Sequence, residues 1–198
     1  MSATGTDAAS PWAGLGLEHG KVVLREVRLE WRDVGRRLAD EIRAAFGARA
    51  VHVEHVGSTA VPGLVAKSIV DLAVGPGDVP VDVVREVLEA LGYTYRGDAG
   101  EQGGLVFVLE DRPRHRVAHV HVVEHAGRQW RRYLAFRDLL LRDASARVAY
   151  ARLKLELARR YPNDRTAYTA AKVGLVNALL ERDAQLADGR RAADDAGP

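Results

Sequence analysis

The stretch HVGSTAVPGLVAKSIVDLAVG, residues 55–75, decides how this chain is read. Its first residues close a β-rich run, Val51 to Val56, on a Gly-Ser pair. Its last residues, Ser68 to Val74, form a second such run, apolar almost throughout except for Asp71. Both read as buried strands. A strand that ends in Gly-Ser and passes into small residues leaves backbone N–H groups free, which is what a phosphate requires at close approach. On that reading Gly57 admits the anion to the backbone, and Ser58 adds a hydroxyl. Asp71 is the anomaly, because a carboxylate in an apolar strand costs several kcal/mol unless it is paired, or else becomes protonated. It is there either as a strand-end carboxylate satisfied by N–H groups or an arginine, or as a ligand for Mg²⁺, which is held by one or two carboxylates together with substrate phosphates.

Outward from this segment the periodicity alternates between helix and strand. Val34, Leu38, Ile42, Ala45 and Phe46 fall at helical spacing over Trp31 to Phe46, and Gly47 stops the run. Pro80 opens a second helix through Leu91, with Gly92 as its C-cap. Leu105 to Leu109 and Val117 to Val123 are further strands, separated by a polar turn over Asp111 to Arg116. The period then becomes helical over Gln129 to Leu141, Ala146 to Arg160 and Thr166 to Leu186. The expected fold class is therefore α/β (α+β): a mixed sheet with flanking helices, closed by a C-terminal helical subdomain. The expected division is a disordered tail over 1–20, an α/β core over 21–127, the helical subdomain over 128–187 and a second tail over 188–198.

The 198 residues and 47% hydrophobic content suit one domain with a sizeable core. There is no cysteine, which excludes disulfides and thiolate metal sites. Met1 to Pro11 lacks the basic and apolar character of a signal, and no run approaches the roughly 20 apolar residues of a membrane span, so the expectation is a cytoplasmic protein. Net charge is only +2, yet Arg112 to Lys172 holds fifteen Arg or Lys against five Asp or Glu. That basic half favours small phosphate-bearing partners through steering. Nucleic acid is disfavoured, because interleaved aromatics and a reading helix are both missing from the pattern.

His119 and His121 alternate on one strand, so both project to the same face. Should that face also carry Asp71, two imidazoles and a carboxylate converge in a set that suits Mn²⁺, Zn²⁺ or Fe²⁺ better than Mg²⁺. One imidazole could instead act as a general base, or both could be half-buried structural histidines. His55 is a weaker case of the same kind, and His52 on the opposite face reads as exposed.

The run H-x-G-S-T-x-V-P-G-L-x-A-K-x-I-x-D over His55 to Asp71 resembles the signature of the GrpB-like family, which is similar to the polymerase-beta-type nucleotidyltransferases. Further matches are His119-x-His121, the run Tyr133 to Leu139, and Tyr161-P-N-D-R-x-A-Tyr168-x-x-A-Lys172. The resemblance implies that Gly57, Ser58 and Thr59 take phosphate, that Lys67 neutralises it, and that Asp71 holds a divalent ion, Mg²⁺ or Mn²⁺, beside a nucleoside triphosphate. Arg137, Lys154, Arg165, Tyr168 and Lys172 are the helical-end candidates for holding the nucleotide, by point charge or by the two-pronged grip of arginine. Nucleotidyltransferases of this type carry Asp-x-Asp or Asp-x-Glu on the metal strand, whereas two residues after Asp71 this chain has Ala73. The expected function is divalent-metal-dependent transfer or activation chemistry with a nucleoside triphosphate on a small acceptor. The alternatives are a nucleotide- or phosphometabolite-binding module without chemistry, and a recruited enzyme with His119 and His121 as acid or base.

Overall fold

The computed structural model describes residues 11–98 and 104–195. A sheet with strand order β3-β5-β8-β7-β6 organises the core: β3 His52–Val56, β5 Val70–Gly75, β6 Thr94–Asp98, β7 Leu105–Arg112 and β8 His115–Val122. Its neighbours pair antiparallel except β5 and β8, which run parallel. That mixture follows from the connections, since the β5-to-β8 crossover passes through helix α2, Val81–Ala90, and the β6-β7 hairpin.

Helix α1, Leu29–Ala45, buries Trp31, Val34, Leu38, Ala39 and Ile42, the stripe its periodicity prescribes, in a core shared with Leu72 and Val74 of β5 and with Val84 and Leu88 of α2. The opposite face of β5 presents Ala73, which packs with Val56, Val123 and Trp130. Trp130 belongs to α3, Arg128–Arg142, and α4, Ala144–Arg160, α5, Arg165–Ala170, and α6, Val173–Asp195, follow it. Both faces at the sheet centre are therefore covered, which is why β5 reads as a continuous apolar run rather than an alternating one.

Several expected boundaries shift. Residues 11–20, expected in a disordered tail, are docked: Leu15 is buried, β1, Leu17–Glu18, pairs with the start of β8, and Gly16 exchanges backbone and side-chain hydrogen bonds with Ser68. These are long-range contacts through a two-residue strand, and local periodicity does not report them. Residues 1–10 lie outside the described residues. A second small sheet pairs β2, Arg25–Glu26, with β4, Val65–Ala66. At the other end α6 runs through the boundary expected at Asp188, continuing to Asp195. The polar segment over 111–116 is mostly strand, with only residues 113 and 114 in the turn. The single helix expected over 166–186 is broken between α5 and α6, which places Lys172 at the junction.

Candidate functional site

The register of β5 on β8 sets Asp71 level with His119 and Ala73 level with His121, so all four side chains share the face covered by α3 to α6. The nearest Asp71 oxygen, Oδ1, is 3.1 Å from His119 Nδ1 and 3.6 Å from His121 Nε2. Donor atoms of the three residues all lie within 4.8 Å of one another, a spacing and a donor set that fit one divalent transition ion. His119 is buried and its other nitrogen, Nε2, faces Arg165 Nη2 at 3.5 Å. Burial pulls the His119 imidazole down to about 4 against the opposing influence of Asp71. Burial acts in the other direction on Asp71, but the hydrogen bond of His119 and the proximity of both imidazoles outweigh it and hold the carboxyl well below its usual range.

Gly57 begins the turn that leads from β3 into the 3₁₀ segment Ser58–Ala60, with φ 71° and ψ −168°. A Cβ added there would stand 2.7 Å from Asp71 Oδ2. The missing side chain therefore serves both a glycine-specific backbone conformation and the approach of the carboxylate to the Gly-Ser turn. Ser58 Oγ receives a hydrogen bond from Lys154 Nζ at 3.1 Å, and the same amine also donates to the carbonyl of Val65.

Around this centre stand the amines of Lys67, Lys154 and Lys172 and the guanidinium of Arg165. With Ser58, Asp71, His119 and His121 they line a cavity of about 170 Å³ between the sheet and helices α4 and α5. Asp71 is the one carboxylate among these lining residues. Tyr168, fully buried, serves as a floor: Lys67 Nζ and Lys172 Nζ stand 5.5 Å and 4.6 Å from its ring centre. Burial, and then the charges of Arg165 and Lys172, push the Lys67 amine down to about 7. Lys172 falls to about 8, chiefly through burial. Lys154 is held well below its usual value by burial and by the other two lysines. Burial is the first cause of all three shifts, and the neighbouring cations add to it against the opposing charge of Asp71. A second lobe of about 220 Å³ opens on the other side of Ser58 and Asp71 and is lined by Tyr133, Phe136, Tyr150, Val173 and Val176 among others.

Two residues expected at the phosphate site are elsewhere engaged. Thr59 is buried, its hydroxyl bonded to the carbonyl of Ile69 and to His55 Nε2 at 3.3 Å and 3.0 Å, so it stabilises the turn from below instead of facing the cleft. Arg137 binds Glu54, Asp138 and the carbonyl of His55 at 2.7, 2.8 and 3.2 Å, tying α3 to the sheet edge beside a separate recess with Arg32, Arg36 and Arg43. A β-strand glutamate opposite a helical arginine leaves no local pattern in the sequence. Phe136 and Tyr150 also line the second lobe, and no local signal marks them for it, since aromatic residues on helices ordinarily pack in the core. His52, read as exposed, is so, and its ring stacks on that of His125.

The protein family described as GrpB protein matches residues 21–182. A UPF0157 protein of Pseudomonas aeruginosa is 43% identical over 148 residues, 73% of this chain, and the match spans only 60% of that relative's length. Among solved structures, the conserved protein GrpB from Enterococcus faecalis superimposes with a TM-score of 0.71 at 28% identity, covering 81% of this chain and 96% of that one. The Cid1 poly(U) polymerase, in a crystal structure described as Mg 3′-dATP bound, superimposes with a TM-score of 0.50 at 17% identity over 74% of this chain and 49% of that one. This likeness shows a shared nucleotidyltransferase-like fold. None of the helices in the described residues is long and apolar enough to cross a membrane.

Proposed function

This chain belongs to the GrpB family and has a nucleotidyltransferase-like fold, and from that premise we propose that it binds a nucleoside triphosphate or a related phosphate-bearing metabolite in the cleft beside Asp71. There it carries out divalent-metal-dependent transfer or activation on a small acceptor. The observation that carries this reading is the convergence of donors: three amines and a guanidinium, each able to carry a proton to an anion, surround one carboxylate flanked by two imidazoles. A polyphosphate would supply negative charge to these groups, and the cluster of Asp71, His119 and His121 offers donors for a cation beside it, not all of which need bind it. Such an ion would neutralise charge that develops on the phosphate oxygens during transfer.

The chain's own groups divide the remaining work. Lys172 and Arg165 hold the phosphates from the helical side and Lys67 from the connection between β4 and β5, with the Tyr168 ring beside both amines. Lys154 orients the Ser58 hydroxyl at the Gly-Ser turn. The second lobe, with Tyr133, Phe136 and Tyr150, is where the organic part of a ligand finds apolar contact.

Calorimetric titration with ATP and with tripolyphosphate, each with and without Mg²⁺ or Mn²⁺, tests the binding, and label transfer from radiolabelled ATP into pooled small acceptors tests the chemistry. Binding that is unchanged by Lys172→Ala and by Asp71→Ala refutes the reading. A second reading is favoured by Ala73, which stands level with His121 where a second carboxylate would serve a two-metal displacement. On it the protein binds the nucleotide without transferring anything, and tight binding with no turnover selects it.

A further inference from the structure

His119 and His121 look equivalent in sequence, two positions apart and therefore on the same face of β8, but their surroundings differ. Arginine carries five donors and no acceptor, and stays protonated in proteins. The Nη2 of Arg165 faces His119 Nε2 at 3.5 Å, the outer limit of a hydrogen bond, and a donor at that position favours a lone pair over an N–H on that nitrogen. A neutral imidazole with its lone pair on Nε2 carries its hydrogen on Nδ1. Nδ1 in turn lies 3.1 Å from Asp71 Oδ1, where a lone pair would meet a carboxylate and an N–H makes a hydrogen bond. The two contacts favour the same tautomer, the shorter one to Asp71 more strongly, and between them they face both ring nitrogens. His121 is placed otherwise: its Nε2 lies 3.6 Å from the same carboxylate oxygen, beyond a hydrogen bond, and about a fifth of its side chain is open to solvent.

We infer that His119 is a positioning residue and no metal ligand: Arg165 sets its tautomer, and its Nδ1–H aims the Asp71 carboxylate, leaving Asp71 and His121 as the protein's ligands to a cation. Hydrogen bonds of this kind orient ligating carboxylates, and their removal weakens metal binding about 10–100-fold. The arrangement also links the two halves of the cleft, since the guanidinium that faces the phosphate lobe is the group that fixes the imidazole behind Asp71. The tautomer stands on the contacts alone, whereas the division of ligands rests on the functional reading above.

The experiment is ¹⁵N NMR of the protein labelled at its histidine rings, first metal-free and then titrated with Zn²⁺ as a diamagnetic probe. Expected in the metal-free protein is His119 protonated on Nδ1 and bare on Nε2. On titration the His121 Nε2 resonance shifts on coordination while His119 keeps its Nδ1 proton. His119→Ala weakens Zn²⁺ binding by about 10–100-fold, and His119→Asn, whose side-chain N–H stands where Nδ1–H stood, recovers most of it. A metal-free His119 protonated on Nε2, a Zn²⁺ ion that displaces the Nδ1 proton, or an Asn variant as weak as the Ala variant overturns the inference. Should wild-type protein bind no Zn²⁺, the cation half of the proposed function fails, and the metal-free tautomer still decides whether Arg165 and Asp71 orient His119.

Discussion

Substituting Gly57 by alanine sets the backbone and the site against each other in a way that can be measured. The φ 71°, ψ −168° conformation lies in a region essentially reserved for glycine, so a side chain there costs about 1–3 kcal/mol. The new Cβ would also stand 2.7 Å from Asp71 Oδ2 and 3.0 Å from Asp71 Cβ, closer than such atoms settle. The carboxylate has to turn away, and its hydrogen bond to His119 goes with it. That bond joins a charged group but belongs to a side chain about one-third exposed, so its loss is taken at the low end for charged partners, about 1.5 kcal/mol. The sum, about 2.5–4.5 kcal/mol, lowers Tm by roughly 5–18 °C in a chain of this size. Chemical denaturation of wild type, Gly57→Ala, Asp71→Ala and the double variant isolates the clash. In the Asp71→Ala background the glycine substitution is expected to retain the backbone strain and the approach to the residue-71 Cβ, and to lose only the carboxylate clash and the hydrogen bond it breaks, leaving a coupling of about 1.5 kcal/mol between the two sites. Equal destabilisation in both backgrounds would show that the carboxylate does not lean on Gly57, and the geometry of the site would have to be redrawn.

Other consequences follow from single residues. Lys67 and Lys172, held at about 7 and about 8 in the free protein, have to be protonated to hold an anion. Tripolyphosphate affinity therefore falls as pH rises from 7 towards 9, with proton uptake on binding visible as a dependence of calorimetric heat on buffer ionisation. The same depressed values mean that the unfolded chain binds more protons over that range, so the stability contribution of these lysines in the ligand-free protein rises with pH between 7 and 9. Lys172→Ala is expected to weaken tripolyphosphate binding about tenfold or more, whereas Arg137→Ala leaves that affinity unchanged and lowers the denaturation midpoint. Thr59→Val, which strips the buried hydroxyl from His55 and Ile69, destabilises by about 1–3 kcal/mol with little effect on ligand affinity, as parallel melts and titrations would show.

Much of the architecture is legible locally because each central element has one dominant period. Val34, Leu38 and Ile42 repeat on α1, and the run from Val70 to Val74 could only be a strand covered on both faces. The elements that escape are those held by distant partners: β1 exists through its pairing with β8, and β2 through β4. In the site, Asp71 is conspicuous as a charge in an apolar strand, and the alternation of His119 and His121 gives their common face. Whether Asp71 shares that face is a matter of β5–β8 register across 48 residues, which no local pattern encodes. Arg137 shows the opposite failure, since an arginine in a basic helix carries no mark of whether it meets a glutamate or a cleft. Thr59 sits next to a turn serine, and only the buried carbonyl of Ile69 separates their roles.

The parallel pairing of β5 with β8 has a consequence for assembly of the sheet. Side chains alternate strictly along a strand, so sliding β8 by a single residue would turn His119 and His121 toward the hydrocarbon packed beneath α1 and bring Ala118 and Val120 to the opposite side. Asp71 would lose both imidazoles at the same stroke. Three polar groups that gather for chemistry thus also penalise misalignment of the two central strands, and replacing them with alanine or valine would remove that proofreading along with the ligands.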